Sequence, residues 1–127
     1  MLLALHVPAD PAQPVSVVSV PDTAPGISHA IGGLLLDEPL TGHLGRNRYS
    51  LYLAEDRTRL PDNPRAAAVL ARLGLERREV MAAARGNLLV TGLHPATTQD
   101  TDIDQRLLDT LTRAHPDLRP GGPTTPQ

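Results

Sequence analysis

Three acids, Glu55, Asp56 and Asp62, stand just ahead of the clearest helix in the chain. Carboxylates this close can hold a cation or share acid–base work, and a metal-dependent enzyme built on Glu55 and Asp62 is one reading of them. The same residues also suit a solvated connection between elements, which is the more ordinary use of such a cluster. Asp100, Asp102 and Asp104 resemble the opening of a calcium loop, but the turn glycine would fall at Gln105 and the bidentate acid at Leu111. Acids near a helix N-terminus, favourable to its dipole, explain that run better. His6, His29, His43, His94 and His115 show no helical ligand spacing and no HExxH pattern. A metal site would need the fold to gather His29 and His43 near Asp37 or Glu38, so surface histidines are the expectation. No serine occupies a G-x-S-x-G elbow, and no glycine-rich loop matches a nucleotide-binding fingerprint. Gly32-Gly33 reads as a helix stop and tight turn rather than a phosphate cradle. No cofactor is expected.

Arg57, Arg59, Arg65 and Arg72 suggest one basic stripe, with Arg77, Arg78 and Arg85 beyond it. Interleaved acids and only two tyrosines leave no stacking platform for bases. All twelve basic residues are arginine, a pattern that also follows from GC-rich coding, and the net charge of −2 argues against a general nucleic-acid binder. A nucleic-acid-associated factor is therefore an alternative and not the favoured reading.

The elements that position these residues follow from composition and pattern. A chain of 127 residues makes one domain with one modest core. Without Phe, Trp or Cys, that core must be Leu, Val, Ile and Ala, with less area to bury per residue than an aromatic one. The absence of cysteine excludes disulfides and thiolate chemistry and fits a reducing compartment, so a cytoplasmic location is expected. Met1 to Val7 is apolar but has no basic flank and stops at Pro8, too short for a signal or a membrane span.

The central helix starts at Asn63-Pro64. Asn63 offers a side-chain oxygen as N-cap, Pro64 suits the first helical position, and Gly74 ends the helix with Leu75 folding back onto Leu70. Ala66, Val69, Leu70 and Leu73 make its inner face. Residues 3–7 and 15–20 read as a strand hairpin, with a bulge or two-sided burial at Val17-Val18. A short helix capped by Asp22 or Thr23 runs to Gly32-Gly33, with Ile27, Ala30 and Ile31 inward. Leu34 to Leu36 begin a third strand, Thr41 to Arg48 form a polar loop, and Tyr49, Leu51 and Leu53 mark a fourth strand. Val80 to Ala84 and Leu88 to Val90 flank Gly86-Asn87, which reads as a two-residue hairpin turn. Thr101 and Asp104 resemble a capping box before a last helix whose stripe is Ile103, Leu107, Leu111 and Ala114.

Gly32-Gly33-Leu34-Leu35, Leu51-Tyr52-Leu53-Ala54-Glu55, Leu60-Pro61-x-Asn63-x-x-Ala66 and Gly86-Asn87-Leu88-Leu89-Val90-Thr91-Gly92 occur in one order and spacing. In these motifs the chain resembles the Domain of Unknown Function 3846 family, a small family common on phages and plasmids. The resemblance spans roughly residues 2 to 110 and marks Gly32, Gly33, Pro61, Asn63 and Gly86 as the structural motif. It implies an α+β fold and a mobile-element origin, and it implies no reaction.

The expected fold is α+β: a small, mainly antiparallel sheet of five or six strands, with two or three helices packed on it. The central helix and the Gly-Gly-ended helix are expected on one face. Residues 1–115 form the domain and 116–127 a disordered tail rich in Pro, Gly and Thr. The expected function is a non-catalytic accessory or protein-binding domain. The last helix is expected either to join the helical layer or to present Leu107 and Leu111 to a partner, and Arg57 and Arg59 are the other candidate partner-facing residues. The partner is an unknown protein, or a second copy of the chain through the last helix, and no membrane is involved.

Overall fold

Pro64 opens helix α2 (Pro64–Arg72), and the bonds at its two ends are those its sequence implies. The Asn63 carboxamide oxygen accepts the Ala66 N–H at 3.1 Å. Gly74 takes φ +90°, and the Leu75 N–H returns to the Leu70 carbonyl at 3.2 Å. Ala66, Val69, Leu70 and Leu73 are all buried. These features belong to a computed structural model that describes residues 1–33, 40–55, 59–113 and 118.

Helix α2 packs on an antiparallel sheet. Its strands are β1 (Leu2–Val7), β2 (Ser16–Val20), β3 (Leu40–Leu44), β4 (Asn47–Tyr52), β5 (Leu88–Leu93) and the short β6 (Asp100–Thr101). The order is β2-β1-β5-β4-β3, with β6 paired to β5. The remaining helices are α1 (Ala24–Ile31), α3 (Arg77–Ala83) and α4 (Gln105–Arg113). The fold is therefore α+β as expected, with four helices among the described residues rather than two or three.

The pleat divides the core in two. Leu5, Val7, Tyr49, Leu51, Leu88 and Val90 point to one face and pack with α2, α3 and α4. Leu2, Ala4, Val20 and Leu89 point to the other and pack with Ile27 and Ile31 of α1. Helix α1 thus lies opposite α2, not beside it. The alternation of β1 requires this, because Ala4 and Leu5 are both fully buried and each needs its own cover. Thr23 caps α1 by accepting the Gly26 N–H, and Gly32, at φ +77°, ends it.

Several expectations are corrected. Residues 41–48 are not a loop: Leu40–Leu44 pairs with Asn47–Tyr52 across a turn at Gly45 (φ +61°). This arm shows no apolar alternation because β3 is a mostly exposed edge strand. Tyr49 covers its glycine partner Gly42, where a Cβ would sit 2.5 Å from the Tyr49 hydroxyl. Residues 80–84 are not a strand but the second half of α3 and its cap. Glu76 and Glu79 form a reciprocal capping box, and Val80 is the only β-branched residue in that run. Gly86-Asn87 accordingly links a helix to β5 and is no hairpin turn. Strand β2 pairs in unbroken register with β1, so there is no bulge. Val17 is simply an exposed residue on an edge strand. Asp104 alone caps α4, accepting the Arg106 N–H at 2.8 Å, while Thr101 lies in β6.

Leu107 and Leu111 are fully buried against α2 and the sheet. They are core residues and present nothing to a partner. Leu118 is buried in the same cluster, so the packed domain extends past 115 into the stretch expected to be tail. The third strand expected from Leu34, and the remainder of the expected tail, lie outside the described residues. Leu107→Ala should cost about 2–5 kcal/mol, the usual range for a buried leucine cavity. Urea unfolding checks this; an unchanged midpoint would contradict the assignment of Leu107 to the core.

Candidate binding groove

Each residue singled out for chemistry has a definite position. Asp100 accepts the Tyr52 hydroxyl, and the Thr91 hydroxyl lies 3.4 Å from its other oxygen. Burial and the neighbouring Asp100 carboxylate hold the Tyr52 phenol well above its usual range. Asp102 accepts the Leu3 N–H at 2.8 Å, sealing the start of β1, and Asp104 caps α4. The acidic run is thus three separate structural acceptors. Only the last of them is the helix-terminal acid expected. Gly92 lets this strap close, because a Cβ there would collide with the Asp102 carbonyl.

The basic stripe is likewise taken apart. Arg65 donates to the carbonyls of Pro8 at 2.8 Å and Asp10 at 2.9 Å, tying α2 to the end of β1. Arg72 reaches the Thr110 carbonyl of α4 at 3.2 Å. Arg85 pairs with Asp62 at 3.6 Å. Arg59 is exposed, and Arg57 lies outside the described residues. Among the described residues no three His, Asp or Glu side chains gather as a metal-binding group. Glu55 is exposed, and neither cavity described below includes it.

What the fold does assemble is a groove between α2 and α3. Its floor is Ala67, Val80 and Ala84, its end wall is Asp62-Asn63-Pro64, and its rim carries Met81 and the Asp62–Arg85 pair, around about 250 Å³. A second cavity of about 430 Å³, bounded by Ala9, Pro11 and Arg65, shares the Asp62-Asn63-Pro64 wall. Met81 is 67% exposed, the most exposed large apolar side chain after Met1 among the described residues. The walls are held from behind. Asn63 is buried, and its carboxamide donates to the carbonyls of Val7 at 3.0 Å and Gly86 at 2.8 Å. Gly86 takes φ +71°, a backbone conformation that favours glycine, and a Cβ there would press on the Leu60 side chain. The groove offers apolar contact with a charged rim.

Of the expected site residues, Asp62, Asn63 and Arg85 line this groove. Met81, Val80 and Ala84 were missed because the run was read as a strand, which scatters them over two faces. The Glu76–Glu79 spacing was the signal that would have gathered them.

His6 is the half-buried titratable group opposite, facing α1, with its Nε2 buried and within hydrogen-bond distance and geometry of no partner among the described residues. Burial first, and Arg65 in addition, lower its pKa from 6.5, against a weaker raising effect of the Ala30 carbonyl.

The chain matches no family model, no curated protein and no solved structure. No helix among the described residues is long and apolar enough to cross a membrane.

Because the folded state prefers neutral His6, its contribution to stability is complete above the unfolded pKa of about 6.5 and is lost as pH falls through the lowered folded value. The urea midpoint should therefore decline on acidification below that point, and His6→Gln should flatten the decline. An identical pH profile in the variant would contradict the burial of His6.

Proposed function

We propose that this is a non-catalytic, cytoplasmic protein-binding domain, whose α2–α3 groove receives an apolar side chain from an acidic segment of a partner protein. The observation that carries the reading is Met81, a large, adaptable apolar side chain left in water at the rim of an apolar groove. Charge supports the choice of partner. Seven of the twelve arginines lie between Glu55 and Arg85, against five acids, although the chain as a whole is acidic. Arg77 and Arg78 precede Met81 by four and three residues on α3, so they flank it on the helix surface. An acidic partner segment would be steered there. The mobile-element origin implied by the resemblance to the Domain of Unknown Function 3846 family is compatible with a factor that acts on a host protein.

The nucleic-acid alternative loses ground because Arg65 and Arg72 are held by backbone carbonyls and Arg85 by Asp62. The metal-enzyme alternative loses ground because Glu55 lines neither cavity that Asp62 lines.

A photo-crosslinking residue in place of Met81, expressed in the source cells, tests the reading. One protein should crosslink reproducibly, through a segment with an apolar residue among Asp and Glu. Reversing Arg77 and Arg78 to Glu should cut its yield about tenfold or more, the effect of losing roughly 1.4 kcal/mol of binding. Crosslinks without a preferred segment, or insensitive to the reversal, would overturn the proposal.

A further inference from the structure

The free edge of the sheet at β2 is unusual for what it lacks. Sheet edges are normally blunted by charge, proline or a bulge, because an open ladder invites another strand. Strand β2 reads Ser16-Val17-Val18-Ser19-Val20, with no charge, no proline inside it and an unbroken register to β1. Among the described residues it pairs with β1 alone, and Val17 and Ser19 are exposed. Its flanking prolines, Pro14 and Pro21, stand outside the strand and leave the ladder open. The opposite edge differs: β3 carries Gly42 at its centre and His43 beside it, which weaken it as a template.

The face beside this edge is also unfinished. Leu3 is 46% exposed and Val17 is 37% exposed. Register places Leu3 beside Ser19 and Leu5 beside Val17, so Leu3 and Val17 stand diagonally adjacent on the face that carries α2. No described helix covers that end of the face, although the residues are apolar.

We infer that β2 is a self-pairing edge: two copies of the chain join β2 to β2, antiparallel about Val18, into one continuous sheet. A second copy fits because the strand complements itself. Pairing about Val18 sets Val18 against Val18 of the second copy, Val17 against its Ser19, and Ser16 against its Val20. No pair brings like charges together, so the symmetric arrangement has no electrostatic penalty. Val17 of the second copy then lies next to Ser19, on the same face as Leu3 and one strand beyond Ser19, so the exposed apolar residues of the two copies share one face of the continued sheet. The two-fold axis runs perpendicular to the sheet, so both α2 layers face the same side. This dimer does not rest on the binding role of the α2–α3 groove. If both hold, the two grooves face one partner together, and their binding is linked.

Sedimentation of the full chain at about 100 µM tests the inference, since a dimer is read only at sufficient protomer concentration. The wild type should sediment at twice 13.6 kDa. A Val17→Lys, Ser19→Lys variant and a Val17→Glu, Ser19→Glu variant should each be monomeric, because each sets like charges across the axis. Their equimolar mixture should restore the dimer. Both positions are exposed, and circular dichroism verifies that each variant is folded. The cysteine-free chain gives a second measurement that keeps the strand uncharged. Val17→Cys mixed with Ser19→Cys should form the mixed disulfide in clear preference to either symmetric one. A monomeric wild type, charge variants that still dimerise, a mixture that stays monomeric, or random disulfide partners would each overturn the inference.

Discussion

The carboxamide of Asn63 is the point at which three distant parts of the chain meet. Its oxygen accepts the Ala66 N–H and starts α2, while its nitrogen donates to Val7 at the end of β1 and to Gly86 ahead of β5. The Asn63 backbone N–H also reaches the Ala84 carbonyl at the end of α3, and the Gly86 N–H reaches the Pro61 carbonyl. A buried carbonyl left without a donor costs about 1–3 kcal/mol. Asn63 therefore fixes where the helical layer sits on the sheet, and so fixes the groove between α2 and α3. The residue types at Leu60-Pro61, Asn63 and Gly86-Asn87 gain a physical reason from this. Leu60 packs on Gly86, Asn63 bonds to it, and the Asn87 side chain accepts from Ala9 and donates to Ile31. They form a latch, and their residue types follow from closing it.

Features written in consecutive residues could be read directly. The start and stop of α2 are set by Asn63, Pro64 and Gly74, all local, and the Leu107–Leu111 stripe of α4 needs only helical spacing. The strands β1, β2, β4 and β5 announce themselves by apolar alternation or density. What escaped depends on distant chain. The side of the sheet that α1 occupies is decided by the two-sided burial of β1. Strand β3 is polar because it is an edge, and β6 exists only because β5 is there to pair with it. Helix α3 was hidden by a short apolar run followed by Gly-Asn, which imitates a strand and turn until the Glu76–Glu79 cap is weighed.

The same division holds for the site. Asp62 and Asn63 stood out because they sit at a recognisable helix start. Met81 did not, because its meaning depends on Ala67 of another helix lying across from it. Four of the acids and arginines that looked chemical in sequence are occupied with backbone groups: Asp102 with Leu3, Asp104 with Arg106, Arg65 with Pro8 and Asp10, and Arg72 with Thr110. In a core without Phe or Trp, such polar ties between elements supply geometric definition that large aromatic side chains would otherwise give. Two of the surfaces left over, the α2–α3 groove and the β2 edge, keep large apolar groups in water, as Leu40 does on β3.

The latch can be tested apart from the helix cap with Asn63→Asp. Aspartate keeps an oxygen for the Ala66 N–H and is an equally good N-cap, but it cannot donate to Val7 and Gly86. Urea unfolding at neutral pH should show the variant less stable by at least about 2 kcal/mol, because two buried carbonyls lose their donor beside a buried carboxylate. A variant as stable as the wild type would mean that Asn63 serves α2 alone, and would contradict the latch.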